Sequence, residues 1–271
     1  KRESRMEIVA REFKRSNHQT YLEIDLKSIR HNISYYKTLI DPSTKLLCMV
    51  KASSYGSDAK TMGKFLEGMG VDYFGVAYAD EGIELREKGI RTPILVMNCE
   101  ERSFSQCIDF DLEPAIYSLR QLDSFVKELI NRSRVNYPIH VKLETGMNRL
   151  GFNENAIPRL VDLIKGQPEI IVKSVYSHLA EADILESDFT TLQISEFNRL
   201  SNLIEDKLSY SFSRHLLNSD GIQNYPKAQY DMVRLGIGMY GVSANKSLRP
   251  AISLISSVSQ IKKVQKKRSN E

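Results

Sequence analysis

Leu46-Leu47-Cys48-Met49-Val50 is an unbroken apolar run that stops at Lys51 and a Ser53-Ser54-Tyr55-Gly56 turn. A strand covered on one face alternates apolar and polar residues, whereas a short continuous run marks a parallel strand buried on both faces. Similar runs recur at 73–77, 93–97, 113–117, 139–143, 171–177, 214–218 and 231–234. Helical spacing fills 58–69, 80–89, 118–131, 153–165 and 187–207, the last carrying Ile194, Phe197, Ser201 and Ile204 on one stripe. Weaker connections lie near 101–108 and 219–224. Eight strands alternating with helices predict an α/β fold closed as a (β/α)8 TIM barrel. An open doubly wound sheet is the alternative, but no Gly-x-Gly-x-x-Gly follows the first run and no Walker loop occurs.

Outward from the barrel, assigned to 45–244, residues 20–44 read as a strand at Tyr21–Ile24 and a helix. Asp25 caps that helix, which carries Ile29, Ile33, Tyr36 and Ile40 on one face. Residues 245–271 read as the truncated start of a second, β-rich domain: Ala251 to Ile261 is rich in strand formers and stops in Lys262-Lys263-Val264-Gln265-Lys266-Lys267-Arg268. One or two strands are unstable alone, so a partner or a continuation is expected to complete that sheet. Residues 1–19 form a basic tail or linker, and a chain opening on Lys1 is expected to be a processed, truncated or internal piece.

The 271 residues are 41% hydrophobic and 27% charged, too much apolar content for a disordered chain and too many charges for a membrane protein. No apolar run approaches the roughly 20 residues of a membrane helix. The net charge of +4 comes from the ends: +3 over residues 1–19 and +4 over 261–271 leave −3 for the body. That distribution argues against a nucleic-acid partner, which needs clustered basic residues on a folded face. Cys48, Cys99 and Cys107 form no metal-ligand pattern and cannot all pair, which points to a reducing compartment, the cytoplasm.

Barrel enzymes work at the C-terminal ends of their strands. There the sequence puts Lys51 and Tyr55 after the first strand, Lys142, Glu144 and Arg149 at the fifth, and His178 after the sixth. Asn218-Ser219-Asp220-Gly221 follows the seventh, and Arg234 before Gly236-Ile237-Gly238 the eighth. Barrels often hold phosphate with the loops after their last two strands, a role that fits Ser219, Gly236 and Ile237. A lysine across the mouth from such a cradle and an arginine points to a Schiff-base lysine holding pyridoxal phosphate. Each residue also has a plainer reading: Lys51 as a strand-end lysine, His178 as a core histidine, Lys142 and Glu144 as an ion pair, Arg149 and Arg234 as surface charges, and Ser219 as a helix cap. Asp80 to Arg86 reads as an exposed helix face without chemistry.

Together these motifs resemble the bacterial alanine racemases, fold-type III pyridoxal-phosphate enzymes. Val50-Lys-Ala-Ser-Ser-Tyr-Gly56 resembles that family's cofactor-lysine motif, Glu144-Thr-Gly-Met-Asn-Arg-Leu-Gly-Phe152 its Asp-Thr-Gly-Met-x-Arg-Leu-Gly, and Ser177-His-Leu-Ala-Glu-Ala-Asp183 its Thr-His-Phe-Ala-x-Ala-Asp. Asn218-Ser219 and Asp231-Met-Val-Arg-Leu-Gly-Ile237 complete the set, in order, over about residues 20 to 262. The resemblance implies that Lys51 carries the cofactor and is one of two bases, and that Tyr55, Ser219, Gly236 and Ile237 hold the phosphate, with Asn218 beside them. It implies that Arg234 faces the pyridine nitrogen, that Arg149 approaches the phenolic oxygen, and that His178 supports Arg234 and the second base. Because an arginine does not readily give up its proton, the ring nitrogen stays unprotonated, which favours racemisation over transamination. Lys142 corresponds to a lysine that some members carry as a carbamate.

The implied function is two-base racemisation of L-alanine to D-alanine for cell-wall peptidoglycan, by a homodimer. The second base in that family is a tyrosine from the partner subunit's C-terminal β domain, and its Gly-Tyr-Ala-Asp-Gly-like motif has no counterpart here. The chain also departs from the family at Ser57, often histidine, and Leu235, often proline. Two rival readings are a barrel that binds pyridoxal phosphate without racemising and a fragment with no cofactor. The basic stretch 1–19 is expected to follow an upstream module, as in fusions of a cell-wall peptide ligase to this racemase. Preference between alanine and serine is left open, because small pocket residues set it by only about 1–3 kcal/mol.

Overall fold

The structure is a computed structural model that describes residues 18–263 except 209. Nearly all of the basic 1–19 stretch, with the expected upstream module, and the basic tail from 264 onward lie outside the described residues. The elements run β1 (Tyr21–Ile24), α1 (Leu26–Leu39), β2 (Lys45–Met49), α2 (Ala59–Gly68), β3 (Tyr73–Val76), α3 (Ala79–Glu87), β4 (Ile94–Val96), α4 (Phe104–Asp109), β5 (Glu113–Ile116), α5 (Leu119–Asn131) and β6 (Tyr137–Lys142). They continue through α6 (Ile157–Lys165), β7 (Ile170–Tyr176), α7 (Asp188–Glu205), β8 (Ser213–His215), α8 (Ser219–Asn224), β9 (Met232–Leu235) and β10 (Ile252–Ile255).

β2 to β9 form a closed parallel barrel in chain order, shut where β2 pairs with β9 through Leu46↔Val233 and Leu47↔Arg234. The eight strands match the eight apolar runs, and the connections near 101–108 and 219–224 are the short helices α4 and α8. Helix starts carry side-chain caps: Asp25, as expected, accepts the Lys27 N–H, and Asp58 accepts the Thr61 N–H, Ser118 the Gln121 N–H and Ser187 the Thr190 N–H.

Period-two alternation divides each strand between two cores. Outward residues such as Leu46, Phe74, Ile94 and Val175 pack against the helices. Inward residues Leu47, Met49, Tyr73, Leu95, Ala115, Tyr176 and Met232 fill the barrel. Among the described residues, the β-rich C-terminal stretch supplies a strand only over Ile252–Ile255, which pairs antiparallel with β1, Tyr21 opposite Ile255. The two strands predicted outside the barrel are therefore each other's partners.

Candidate active site

Carrying the inward parity past the strand ends gives Leu47-Met49-Lys51 on β2, His140-Lys142 on β6, Tyr176-His178 on β7 and Met232-Arg234-Gly236 on β9. These residues rise to one cavity of about 530 Å3 at the C-terminal mouth. Lys51, Tyr55, Lys142 and Arg149 line it, as do His178, Asn218, Ser219, Arg234, Gly236 and Ile237. All ten residues singled out for a cofactor or its chemistry thus line one cavity. Met49, Met97 and Tyr176 form the apolar floor.

The Lys51 turn has unusual backbone geometry. Ala52, Ser53, Ser54 and Tyr55 all have φ between +50° and +58°, one left-handed turn within Lys51–Gly56. Left-handed residues other than glycine each cost roughly 1–2 kcal/mol, so the surroundings must hold them. Tyr240 does so from one side: its hydroxyl donates to the Ser54 carbonyl at 2.6 Å and lies 2.6 Å from Ser54 Oγ and 2.9 Å from Ser57 Oγ. Ser57, where the family often has histidine, is a buried member of this brace and also donates to the Ser54 carbonyl. From the other side Glu81 accepts the Ala52 N–H. The reading of Asp80 to Arg86 as an exposed face is corrected: Glu81 is half-buried and ties the β2 and β3 loops together, also accepting the Ala77 and Tyr78 N–H groups.

The opposite wall is a small cradle. Asn218 caps α8 through the Gly221 N–H, which leaves the Ser219 hydroxyl for the site. Ser219 Oγ accepts the N–H groups of Gly236 at 3.0 Å and Gly238 at 3.1 Å. Gly236 faces the Tyr55 hydroxyl so closely that a Cβ there would lie 2.6 Å from it. The Tyr55 hydroxyl can pack against this backbone, beside Ser219, because position 236 has no side chain.

The Glu144-to-Phe152 motif is a loop built around its backbone. Glu144 accepts the Gly146 and Arg149 N–H groups instead of pairing with Lys142. Gly151 has φ +137°, and a Cβ there would sit 2.5 Å from the Leu143 carbonyl carbon, so only glycine fits. Arg149 is thereby exposed at the rim, with its guanidinium free of hydrogen bonds among the described residues.

Four cations, Lys51, Lys142, Arg149 and Arg234, face this cavity against the single carboxylate of Asp220. Burial, reinforced by Arg149 and Arg234, pulls the Lys142 ammonium down to about 8. Burial and then the Arg234, Arg149, Lys142 and Lys51 charges push His178 down to about 3, so it is neutral at pH 7. Buried Arg234 spends its terminal N–H groups on the protein. Nη1 donates to His215 Nδ1 and the His215 carbonyl, and Nη2 to the Ser177 and Leu216 carbonyls, with His178 Nδ1 at 3.4 Å. Tyr176, stacked on His215 at 4.8 Å and 6°, has a buried hydroxyl with no partner among the described residues. Glu81, Tyr176 and Tyr240 were missed in sequence, although counting two residues back from His178 reaches Tyr176.

A profile of the family described as "Alanine racemase, N-terminal domain" matches residues 24–244. The chain belongs to that family. It is 31% identical over 237 residues to alanine racemase 1 of Caldanaerobacter subterraneus subsp. tengcongensis, covering 87% of this chain and 61% of that protein. It is 33% identical over 255 residues to the alanine racemase of Nostoc sp., covering 91% and 66%. Among solved structures, the alanine racemase of Clostridium difficile 630 in complex with cycloserine superposes with a TM-score of 0.86 at 30% identity, covering 92% of this chain and 71% of that one. The chain thus spans about three fifths to two thirds of the length of these curated relatives. The family match takes in β2 to β9 and every residue of the cavity.

Proposed function

We propose that this chain is the cofactor-bearing part of an alanine racemase that interconverts L- and D-alanine with pyridoxal phosphate in the bacterial cytoplasm, supplying D-alanine for peptidoglycan. The observation that carries this reading is the meeting of Lys51 with the Ser219–Gly236 cradle across one cation-rich cavity. The cavity fits the cofactor on three counts: a glycine at 236 that lets the Tyr55 hydroxyl close up to the Ser219 wall, an excess of positive charge for a phosphate, and an apolar floor. Bound there, pyridoxal phosphate would withdraw electrons from the substrate α-carbon and make its proton acidic.

The protein's residues divide the remaining work. Tyr55, Ser219, Gly236 and Ile237 would hold the phosphate, and the Lys51 amine would hold the cofactor and move the α-proton on one face of the substrate. Arg234, locked by four protein acceptors, presents Nε–H, its one proton without a hydrogen bond among the described residues. A guanidinium does not give up that proton, so beside Arg234 the pyridine nitrogen would stay unprotonated. His178, neutral at pH 7, supports Arg234 without adding charge. Arg149, at the rim of the cavity, would serve the phenolic oxygen. The lowered Lys142 supports a carbamate there, since the neutral amine is the form that combines with carbon dioxide, and the product would give Arg149 an anionic partner. The second base is a tyrosine supplied in trans by a dimer partner's β-rich domain, whose start we assign to 245–271.

The test is α-deuterium exchange in heavy water with pyridoxal phosphate added, on L- and D-alanine separately. Exchange of D-alanine alone, without inversion, and its loss in Lys51→Ala are expected. Exchange and inversion of both enantiomers would place a second base within these residues. If neither enantiomer exchanges while borohydride still reduces a cofactor adduct onto Lys51, the chain binds pyridoxal phosphate without catalysis.

A further inference from the structure

Arg234 is buried with no carboxylate beside it, which is unusual for a guanidinium held among strands. Its anionic counterpart lies across the barrel, at the end of an unbroken chain of side chains. Arg234 Nη1 meets His215 Nδ1 at 2.8 Å, His215 Nε2 meets Ser174 Oγ at 2.8 Å, Ser174 Oγ meets His140 Nδ1 at 2.6 Å, and His140 Nε2 meets Glu113 Oε2 at 2.7 Å. The five residues come one each from β9, β8, β7, β6 and β5, so the chain steps around the barrel wall one strand at a time. The three middle residues are 0–1% exposed, out of reach of solvent.

The two ends fix the direction of every proton between them. A guanidinium only donates, so His215 Nδ1 is bare and its proton sits on Nε2, donated to Ser174. A carboxylate only accepts, so His140 carries a proton on Nε2; Ser174 Oγ already accepts from His215 Nε2, and its own proton goes to its one other partner among the described residues, His140 Nδ1. Burial pushes the Glu113 carboxyl up, but its bonds from His140 and Tyr73 and the Lys173 charge outweigh this and hold it below its ordinary value, in the anionic form. Burial and the Arg234 charge keep His215 neutral.

We propose that Glu113, His140, Ser174 and His215 form a directional relay through which the Glu113 carboxylate acts as the remote counter-charge of Arg234 and holds its guanidinium in position. Each link polarises the next: the carboxylate enriches His140 Nδ1, which draws the serine proton, which makes Ser174 Oγ and then His215 Nδ1 stronger acceptors. Glu113, His140 and Ser174 are positioning residues, acting on the cavity only through Arg234. Their relevance to racemisation rests on the reading above, but the relay itself does not.

The test is imidazole 15N NMR of the full chain, first without cofactor. Both His140 and His215 are expected as Nε2–H tautomers; a proton on Nδ1 of either ring in the wild type overturns the relay without any variant. Glu113→Gln keeps an acceptor for His140 and removes the charge, so the tautomers should persist while the His215 Nδ1 resonance moves. Unmoved His215 signals in this variant overturn the coupling. Ser174→Ala cuts the chain with little change in volume, and in that background Glu113→Gln should no longer move His215. A shift of the same size there means a direct field rather than a relay, and also overturns the proposal. Failure of racemisation leaves all these signals unchanged, so the two readings fail separately.

Discussion

Glu81 Oε1 accepts the backbone N–H of Ala52 at 2.6 Å, so a carboxylate on one helix fixes the peptide that immediately follows Lys51. Its other oxygen accepts the Ala77 N–H, also at 2.6 Å, and the Tyr78 N–H at 3.3 Å. Two loops at the barrel mouth are thus held to one side chain. Glu81→Ala leaves three N–H groups without this acceptor and is expected to lower stability by about 1–3 kcal/mol in urea unfolding. Glu81→Gln, which keeps one carbonyl oxygen, should recover part of it. An Ala variant as stable as the wild type would show that water replaces the carboxylate.

The cradle makes a selective prediction. Gly236→Ala puts a methyl group 2.6 Å from the Tyr55 hydroxyl and forces that hydroxyl away from the residues assigned to the phosphate. The affinity for pyridoxal phosphate should fall about tenfold or more, at least about 1.4 kcal/mol. The affinity for pyridoxal, which lacks the phosphate, should change much less. Absorbance titrations with the two ligands check this, and equal losses would move the phosphate elsewhere.

Two backbone positions should respond in opposite directions. Gly151→Ala forces an alanine to φ +137° against the Leu143 carbonyl carbon and is expected to destabilise by on the order of 3 kcal/mol. Ala52→Gly relieves a left-handed alanine at φ 51° and is expected to stabilise by about 1 kcal/mol. Thermal and urea unfolding of the two variants read both effects.

His178 predicts a pH dependence whose sign follows from proton counting. Its folded value, about 3, lies below the ordinary 6.5, so between these the unfolded chain binds the extra proton. Stability from this group is full above pH 6.5 and is lost as the pH falls toward 3, at up to about 1.4 kcal/mol per pH unit. His178→Asn should flatten the acid limb by that slope relative to wild type. An unchanged limb would mean that the imidazole reaches water on protonation.

The order of elements and the residues that ring the mouth were legible in sequence, because both rest on local rules. A continuous apolar run marks a buried parallel strand whatever surrounds it, and strand ends in a barrel converge, so Lys51, Lys142, His178 and Arg234 could be gathered from position and motif alone. The Asp25 cap was legible for the same reason, since a cap concerns residues only a few apart. What the tertiary structure decided are relations between distant residues. β2 closes on β9, β1 finds β10 more than 200 positions away, and Glu81 reaches a peptide 29 residues before it. The chain from Glu113 to Arg234 is the clearest case: no spacing links its five residues in sequence, and only closing the barrel stacks their inward positions strand by strand. Sequence thus determined which side chains face inward, through the period of two, while the stagger of the closed sheet decided which of them touch.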